Sequence, residues 1–323
     1  MPRGICPNPN CTCRSLSEFP ATLTELSRRV RVVELNADLE TLTEAAECFD
    51  DALFTTGNDC ALIVSRGAVA TGHSAARQWR ISEGYVNVRF GERTGLRIYR
   101  SEHDQQTGFH RTLCFADADG RIQHKVMVRS PNDEMLAMSF GEREDRETYA
   151  RISNKRAKPD NVVSLCAARE MRRIADEGGF EDLINALVSD RGAGRGVALH
   201  RSQTGRVRFL DPRVLPFFIE HLAGTRTPFT RIVAELSVAQ ADRGPVLSFA
   251  MRGSLVFMNT ATGVFNLDMR AIKSLRAVQI RDEWQLEIYD DGSTPRAILS
   301  RDEMLASSVW SELVLSIRER STE

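Results

Sequence analysis

The chain has 323 residues, with 43 Lys and Arg against 44 Asp and Glu, a formal net charge of −1. At roughly 150 residues per domain this length makes about two domains, and a hydrophobic content of 42% supplies a sizeable core. The charge balance excludes a bulk nucleic-acid binder, which carries a basic excess, and an acidic disordered tail, so basic character can matter only locally, as a site for a small anionic ligand.

Residues 1–30 read as a tail carrying Cys6, Cys11 and Cys13 in a C-x4-C-x-C pattern among Pro and Asn. Three thiolates can bind zinc, but a closed site takes four ligands and no neighbouring fourth is evident; a tail with reactive thiols is the preferred reading. The segment has no apolar h-region, and no apolar run approaches the ~18–20 residues of a membrane span. A cytoplasmic protein with reduced cysteines is therefore expected, with Cys48, Cys60, Cys114 and Cys166 as free buried thiols.

Asn36 or Asp38 caps an expected helix carrying Leu39, Leu42, Ala46, Phe49 and Leu53 at helical spacing. Strands are expected at 61–64, 85–90 and 96–99. Segments 112–115 and 122–128 flank Asp119-Gly120, a hairpin signal. A short helix near 133–140 closes the first half, and the charged stretch 141–160 reads as a solvated linker or an exposed helix. Helices follow at 162–187 and, after Pro212, at 214–222. Strands resume over 246–258, a hairpin joins 284–289 to 296–299, and a last helix presents Leu305, Val309, Leu313 and Ile317 on one face. Strands, hairpins and flanking helices in each half indicate an α+β fold.

The two halves resemble each other. Asp133-Glu134-Met135-Leu136-Ala137 recurs as Asp302-Glu303-Met304-Leu305-Ala306. Leu113 to Gly120 matches Leu286 to Gly292, Leu96 to Arg100 matches Asn266 to Arg270, and Arg66-Gly67 matches Arg252-Gly253. The matches are colinear, which predicts a tandem duplication with central antiparallel sheets. Its expected boundaries are 31–140 for the first repeat and 161–323 for the second.

Several pieces carry a family resemblance. Val33-Glu34-Leu35 to Thr56-Gly57-Asn58, Thr94-Gly95-Leu96-Arg97-Ile98-Tyr99, Leu113 to Gly120 and His124-Lys125-Val126 lie in the first half. Met251-Arg252-Gly253, Val264-Phe265-Asn266-Leu267 and Leu286-Glu287-Ile288-Tyr289-Asp290 lie in the second. As an ordered set from about residue 31 onward, they resemble the cytoplasmic haemin-degrading and haem-trafficking factors of the HemS type. The resemblance implies two α+β halves with stacked sheets and haem in a cleft between the second half's sheet and its helices. It also implies a place in haem uptake and iron supply, with a haem oxygenase or a haem importer as protein partners. Degradation would draw electrons from an external reductant. No Walker A, GxSxG, HExxH or strand–GxGxxG–helix pattern competes.

Haem asks for an apolar slot, cations for two propionates and an axial ligand, and arginine suits carboxylates through its planar fork. The resemblance puts Arg97 on a haem-facing strand; an outward strand arginine is the ordinary alternative. Arg195 matches a second haem-facing arginine after a one-residue slip that leaves Arg191 as competitor, with a solvated Gly-rich loop as the alternative. Arg252 is a further candidate or a turn-forming residue, and Arg281 and Arg301 fall near the family's basic and C-terminal contact segments. The chain departs from the family where its axial histidine should stand, on the helix opening the second half: Glu181 takes that place. Ser300 stands near the family's tyrosine, and Gln279-Ile280-Arg281-Asp282 replaces its lysine segment. Of the six histidines, His200 is the best substitute ligand; His124 reads as a core residue, His221 as structural, and His103 and His110 as solvated. Two functions stay open: haem binding, trafficking or degradation, and a non-enzymatic relative that has lost haem ligation and binds another small anion or a protein partner.

Overall fold

A computed structural model describes residues 22–37, 41, 45–72, 81, 84–91, 96–102, 111–143, 173–174, 179–188, 195, 206–235, 237–290 and 294–320. The first half contributes β1 (Val32–Glu34), β2 (Leu53–Gly57), β3 (Ala61–Arg66), β4 (Val69–Gly72), β5 (Val86–Phe90), β6 (Arg97–Ser101), β7 (Arg111–Ala116) and β8 (Ile122–Val128), with helices α1 (Leu23–Ser27) and α2 (Pro131–Ser139). The second contributes α3 (Phe180–Leu187), β9 (Val207–Leu210), α4 (Leu215–Gly224), β10 (Phe229–Glu235), β11 (Val238–Gly244), β12 (Ser248–Arg252), β13 (Leu255–Asn259), β14 (Gly263–Asp268), β15 (Ser274–Ile280), β16 (Glu283–Tyr289), β17 (Pro295–Arg301) and α5 (Ser307–Leu315).

These strands form a nine-stranded sheet, β1-β6-β7-β8-β2-β3-β14-β13-β12, and an eight-stranded sheet, β4-β5-β11-β10-β17-β16-β15-β9. The duplication is visible in the order: β1-β6-β7-β8-β2-β3 repeats as β9-β15-β16-β17-β10-β11. Register agrees with order. Leu53 faces Arg66 as Thr230 faces Arg243, and Leu113 faces Val126 as Leu286 faces Leu299. Each half also completes the other's sheet. Strand β14 pairs with β3 (Val264 opposite Val64), and β5 pairs with β11 (Asn87 opposite Ala241). The inner edges of both six-stranded units are thereby covered, which removes two exposed strand edges.

The register corrects some of the sequence matches. Asp133 sits in α2, where its carboxylate accepts the backbone N–H groups of Asp50 (2.7 Å) and Asp51 (3.0 Å). Asp302 instead follows β17 and pairs with Arg243 at 3.1 Å. The identical pentapeptides therefore hold different positions. Arg66-Gly67 corresponds to Arg243-Gly244, not Arg252-Gly253, and both glycines take positive φ, +134° and +113°. Strand β6 corresponds to β15, not to β14.

Burial follows the strand period of two. In the eight-stranded sheet, Val233, Leu275, Ala277 and Leu299 join a core with α4 and α5, while Ile232, Val278, Ile280 and Ile298 join one with α3. Helix α3 therefore covers the face opposite α4 and α5. Of the face expected for the last helix, Ile317, just after α5, is buried and Leu305 and Leu313 pack partly against the same core, while Val309 is 44% exposed; within α5 the fully buried residues are Trp310 and Val314. Trp310 sets the phase, because its large ring is fully buried and its Nε1 donates to the Trp284 carbonyl at 2.6 Å. Leu53 opens β2 rather than ending the expected helix, and Leu39 and Leu42 lie outside the described residues. Cys60 and Cys114 are buried thiols, pushed by burial up to about 12 and about 11. Cys48 is exposed, and Cys166 lies outside the described residues.

Candidate functional site

Helix α3 packs on the eight-stranded sheet, on the side where the resemblance leads one to expect the haem cleft. Phe180-Glu181-Asp182 places two acids in the first turn of α3, where the helix dipole favours them. The Asp182 Oδ2 accepts the Gly179 N–H at 2.7 Å. One turn on, Leu183, Ile184 and Leu187 are buried in a single apolar cluster with Ile232, Ala241, Val278 and Ile298. Arg281 occupies the β15–β16 turn at φ +52°. Its guanidinium lies over Gly179, where an added Cβ would sit 3.8 Å from its Cζ. Of the residues singled out from sequence, Arg281 and Glu181 are the pair brought to one place, the N-terminal end of α3.

Arg195 is fully buried. Its Nε lies 2.9 and 3.1 Å from the two Glu287 oxygens, and its Nη2 lies 2.5 Å from Oε1. Glu287 also accepts from Gln285 Nε2 and Tyr289 Oη, both at 2.5 Å. Burial would push the Glu287 carboxyl up, but Arg195 and these donors hold it below its ordinary value. Burial and the neighbouring Glu287 push the Tyr289 hydroxyl well up, and the Arg276 guanidinium stacks 4.2 Å from the Tyr289 ring centre. In this arrangement the Arg195 fork neutralises an internal carboxylate rather than facing a ligand.

Arg97 is exposed at the start of β6, 3.7 Å from Glu34, which also binds Arg143 at 3.0 Å. Arg252 is exposed at the β12–β13 turn, its Cζ 5.9 Å from the Phe257 ring centre. Strands β6 and β12 are seven places apart in the nine-stranded sheet, roughly 34 Å at ~4.8 Å per strand, so these two arginines do not share a ligand. Arg301 binds Glu283 through Nε at 2.9 Å and the Leu305 carbonyl at 2.8 Å. His200, Arg191, Cys6, Cys11 and Cys13 lie outside the described residues.

His221 is exposed in the last turn of α4. His124 is fully buried, with Nδ1 2.8 Å from Thr56 Oγ1 and three phenylalanine rings around it, Phe54, Phe90 and Phe115, at 6.2, 5.5 and 5.3 Å. It borders a cavity of about 10 Å³, no larger than one water. Among the described residues, no group of three or more His, Cys, Asp or Glu is placed to hold a metal.

A larger opening lies on the other face of the eight-stranded sheet, at the start of α4. This groove has a volume of about 630 Å³ and carries Arg213, Lys273, Arg318 and Arg320 with Asp211 and Glu319. Its apolar lining is Pro212, Pro216, Met251, Met269 and Ile272. Sequence reading missed it, since its cations come from three separated segments. The available signal was the cluster Arg318-Glu319-Arg320 after the last helix.

No protein-family model matches the chain, and no curated protein matches it. Solved structures do. Apo-PhuS, a heme-binding protein from Pseudomonas aeruginosa, matches with 20% identity over 91% of this chain and 90% of its own, at a TM-score of 0.71. The holo form of the same protein gives 19% identity, the same coverage and a TM-score of 0.72. ChuS, an E. coli heme oxygenase, gives 14% identity, 91% and 90% coverage and a TM-score of 0.68. At these identities the likeness establishes that the chain has the two-half fold of these proteins.

Proposed function

We propose that the chain binds haem in the cytoplasm, as a carrier or a degrading protein serving haem uptake. The observation that supports this reading is the fold, shared over nine-tenths of both chains with a protein described as heme-binding and another described as a heme oxygenase. A haem oxygenase or haem importer would then be its partner, and breakdown of the ring would take electrons from an external reductant. The inherited cleft fits the ligand poorly. Arg195 is committed to Glu287, and Glu181 offers a hard oxygen donor where haem iron usually meets histidine. These two features favour carriage over breakdown. They also motivate a second reading, a relative that has lost haem and binds another small anion.

Titration of the full chain with hemin separates the two. The haem reading expects a saturable shift of the Soret band at about one equivalent. A band that never saturates, together with colourless protein from haem-supplemented cells, would leave the second reading. An unchanged band in His200→Ala would remove only that residue as ligand.

A further inference from the structure

We infer that β12 pairs with β12 of a second copy of this chain, antiparallel about a two-fold axis at Ala250, joining two nine-stranded sheets edge to edge. This does not rest on the haem reading.

The two sheets end in four outer strands, β1 and β12 in one and β4 and β9 in the other. Segment 141–143 covers β1: the Asn36 N–H donates to the Gly141 carbonyl at 2.8 Å, and the Arg143 N–H to the Glu34 carbonyl at 2.9 Å. Segment 318–320 covers β9 in the same way, with the Asp211 N–H on the Arg318 carbonyl at 3.2 Å and the Arg320 N–H on the Phe209 carbonyl at 2.9 Å. Strand β4 is four residues long, and the residues after it lie outside the described ones. Strand β12 has five residues, and among the described residues no strand or bridge lies on its outer side. Edges of this kind are normally blocked by Lys, Pro or an inward charge. Leu247-Ser248-Phe249-Ala250-Met251 carries none of these.

The edge is complementary to itself. Arg252 faces Leu255 across the two-residue turn Gly253-Ser254, so Ser248, Ala250 and Arg252 exchange the ladder bonds with β13. The N–H and C=O groups of Phe249 and Met251 therefore point away from β13. A two-fold centred on Ala250 sets Phe249 of each copy opposite Met251 of the other and uses all of these groups in four hydrogen bonds. Both side chains lie on the α4 side, where Phe249 packs partly against the core and Met251 lines the groove, and thioether against ring is a favourable contact. The strand's one charge, Arg252, falls opposite Ser248 of the other copy. The two Arg252 positions then stand four residues apart, roughly 14 Å, beyond the Debye length of ~8 Å at physiological salt.

Exposed apolar surface gathers at this edge. Leu247 is 48% exposed and Met251 51%. Helix α4 packs against β12; its Pro216 shares the groove with Met251, and the adjacent Phe217 is 70% exposed. With the strand itself these residues supply about 600 Å² per copy, roughly 1,200 Å² in all, the lower limit of a specific interface. A reversible dimer with a micromolar dissociation constant is the expected strength.

Sedimentation of the full chain over a range of concentrations is the test. Wild type should pass from the chain mass to twice that mass as concentration rises. Met251→Lys, which puts a charge on the edge, should raise the dissociation constant tenfold or more, whereas Met304→Lys, which replaces another exposed methionine outside β12, should not. Circular dichroism of both variants should match wild type, since both side chains are exposed. Under mild oxidation Ala250→Cys should give a covalent dimer above the wild-type background, because paired Cα atoms at the axis stand about 4.5 Å apart. Ser248→Cys should not, because its two copies are four residues out of register. Wild type that stays monomeric up to about 1 mM would overturn the inference and leave the edge to a different partner. A dimer that Met251→Lys leaves intact would overturn β12 as its contact, and equal cross-linking of the two cysteine variants would overturn the pairing about Ala250.

Discussion

The hydroxyl of Thr56 donates to Gln240 Oε1 at 2.9 Å, so in its 2.8 Å contact with His124 the ring Nδ1 is the donor and Nε2 keeps a bare lone pair among phenylalanines. Burial lowers the pKa of this imidazole to about 3, against about 6.5 in the unfolded chain. The folded state therefore prefers the neutral ring. Its contribution to stability is complete above about pH 6.5 and is lost as the pH falls toward the folded value, at up to about 1.4 kcal/mol per pH unit. Urea unfolding of wild type and His124→Leu between pH 6.5 and 5 should show this slope in wild type and a shallower one in the variant. Equal slopes would mean that His124 is not held neutral. Alternation along 122–128 made the burial of His124 legible in the sequence, but its partners are 68 residues from it and, beyond Thr56, 184 residues further on. Arg195 shows the same limit. Its Gly-rich surroundings read as an open loop, and nothing local announces that Glu287, 92 residues away, turns into the same interior.

Elements built from neighbouring residues were the readable ones. The hairpin at Asp119-Gly120 and the strand at 122–128 are present as expected, because a turn dipeptide and a period of two are local signals. The exchange of strands between halves was not readable. A strand's own sequence fixes which face is buried but not which open edge it joins, and the β3–β14 and β5–β11 pairings join residues far apart in the chain. One residue at that seam makes the close pairing possible. An added Cβ at Gly263 would lie 1.9 Å from the Val64 carbonyl oxygen and 2.9 Å from the Ser65 Cα, both backbone atoms. Gly263→Ala must push β14 away from β3 and should cost about 3 kcal/mol, at the upper end of ordinary substitutions. The measurement is the urea midpoint of the variant against wild type. A loss under about 0.5 kcal/mol, the range of neutral surface changes, would show that the seam tolerates separation.

At the scale of the molecule, the exchange gives the duplication a physical consequence. In the first half β3 is covered by β14, and in the second β11 is covered by β5. A half cut from its partner would leave its inner edge strand bare and its exported strand without a sheet. Unpaired edges of this kind recruit other chains, and the recruit best matched is a second copy of the same half. The positions agree: β5 lies on β11 (Asn87 opposite Ala241) as β14 lies on β3 (Val264 opposite Val64), so β5 of one copy could cover β3 of the other. Residues 1–160 produced alone should therefore run as a dimer or a larger assembly in size-exclusion chromatography with light scattering. Produced together with 161–323, they should form a one-to-one complex instead, because the native pairings carry side chains fitted to each other, such as Gln240 reaching Thr56, Ser65 and the Phe54 carbonyl across the two sheets. A folded, monomeric first half would mean that the seam contributes little, and that the two repeats are independent bodies after all.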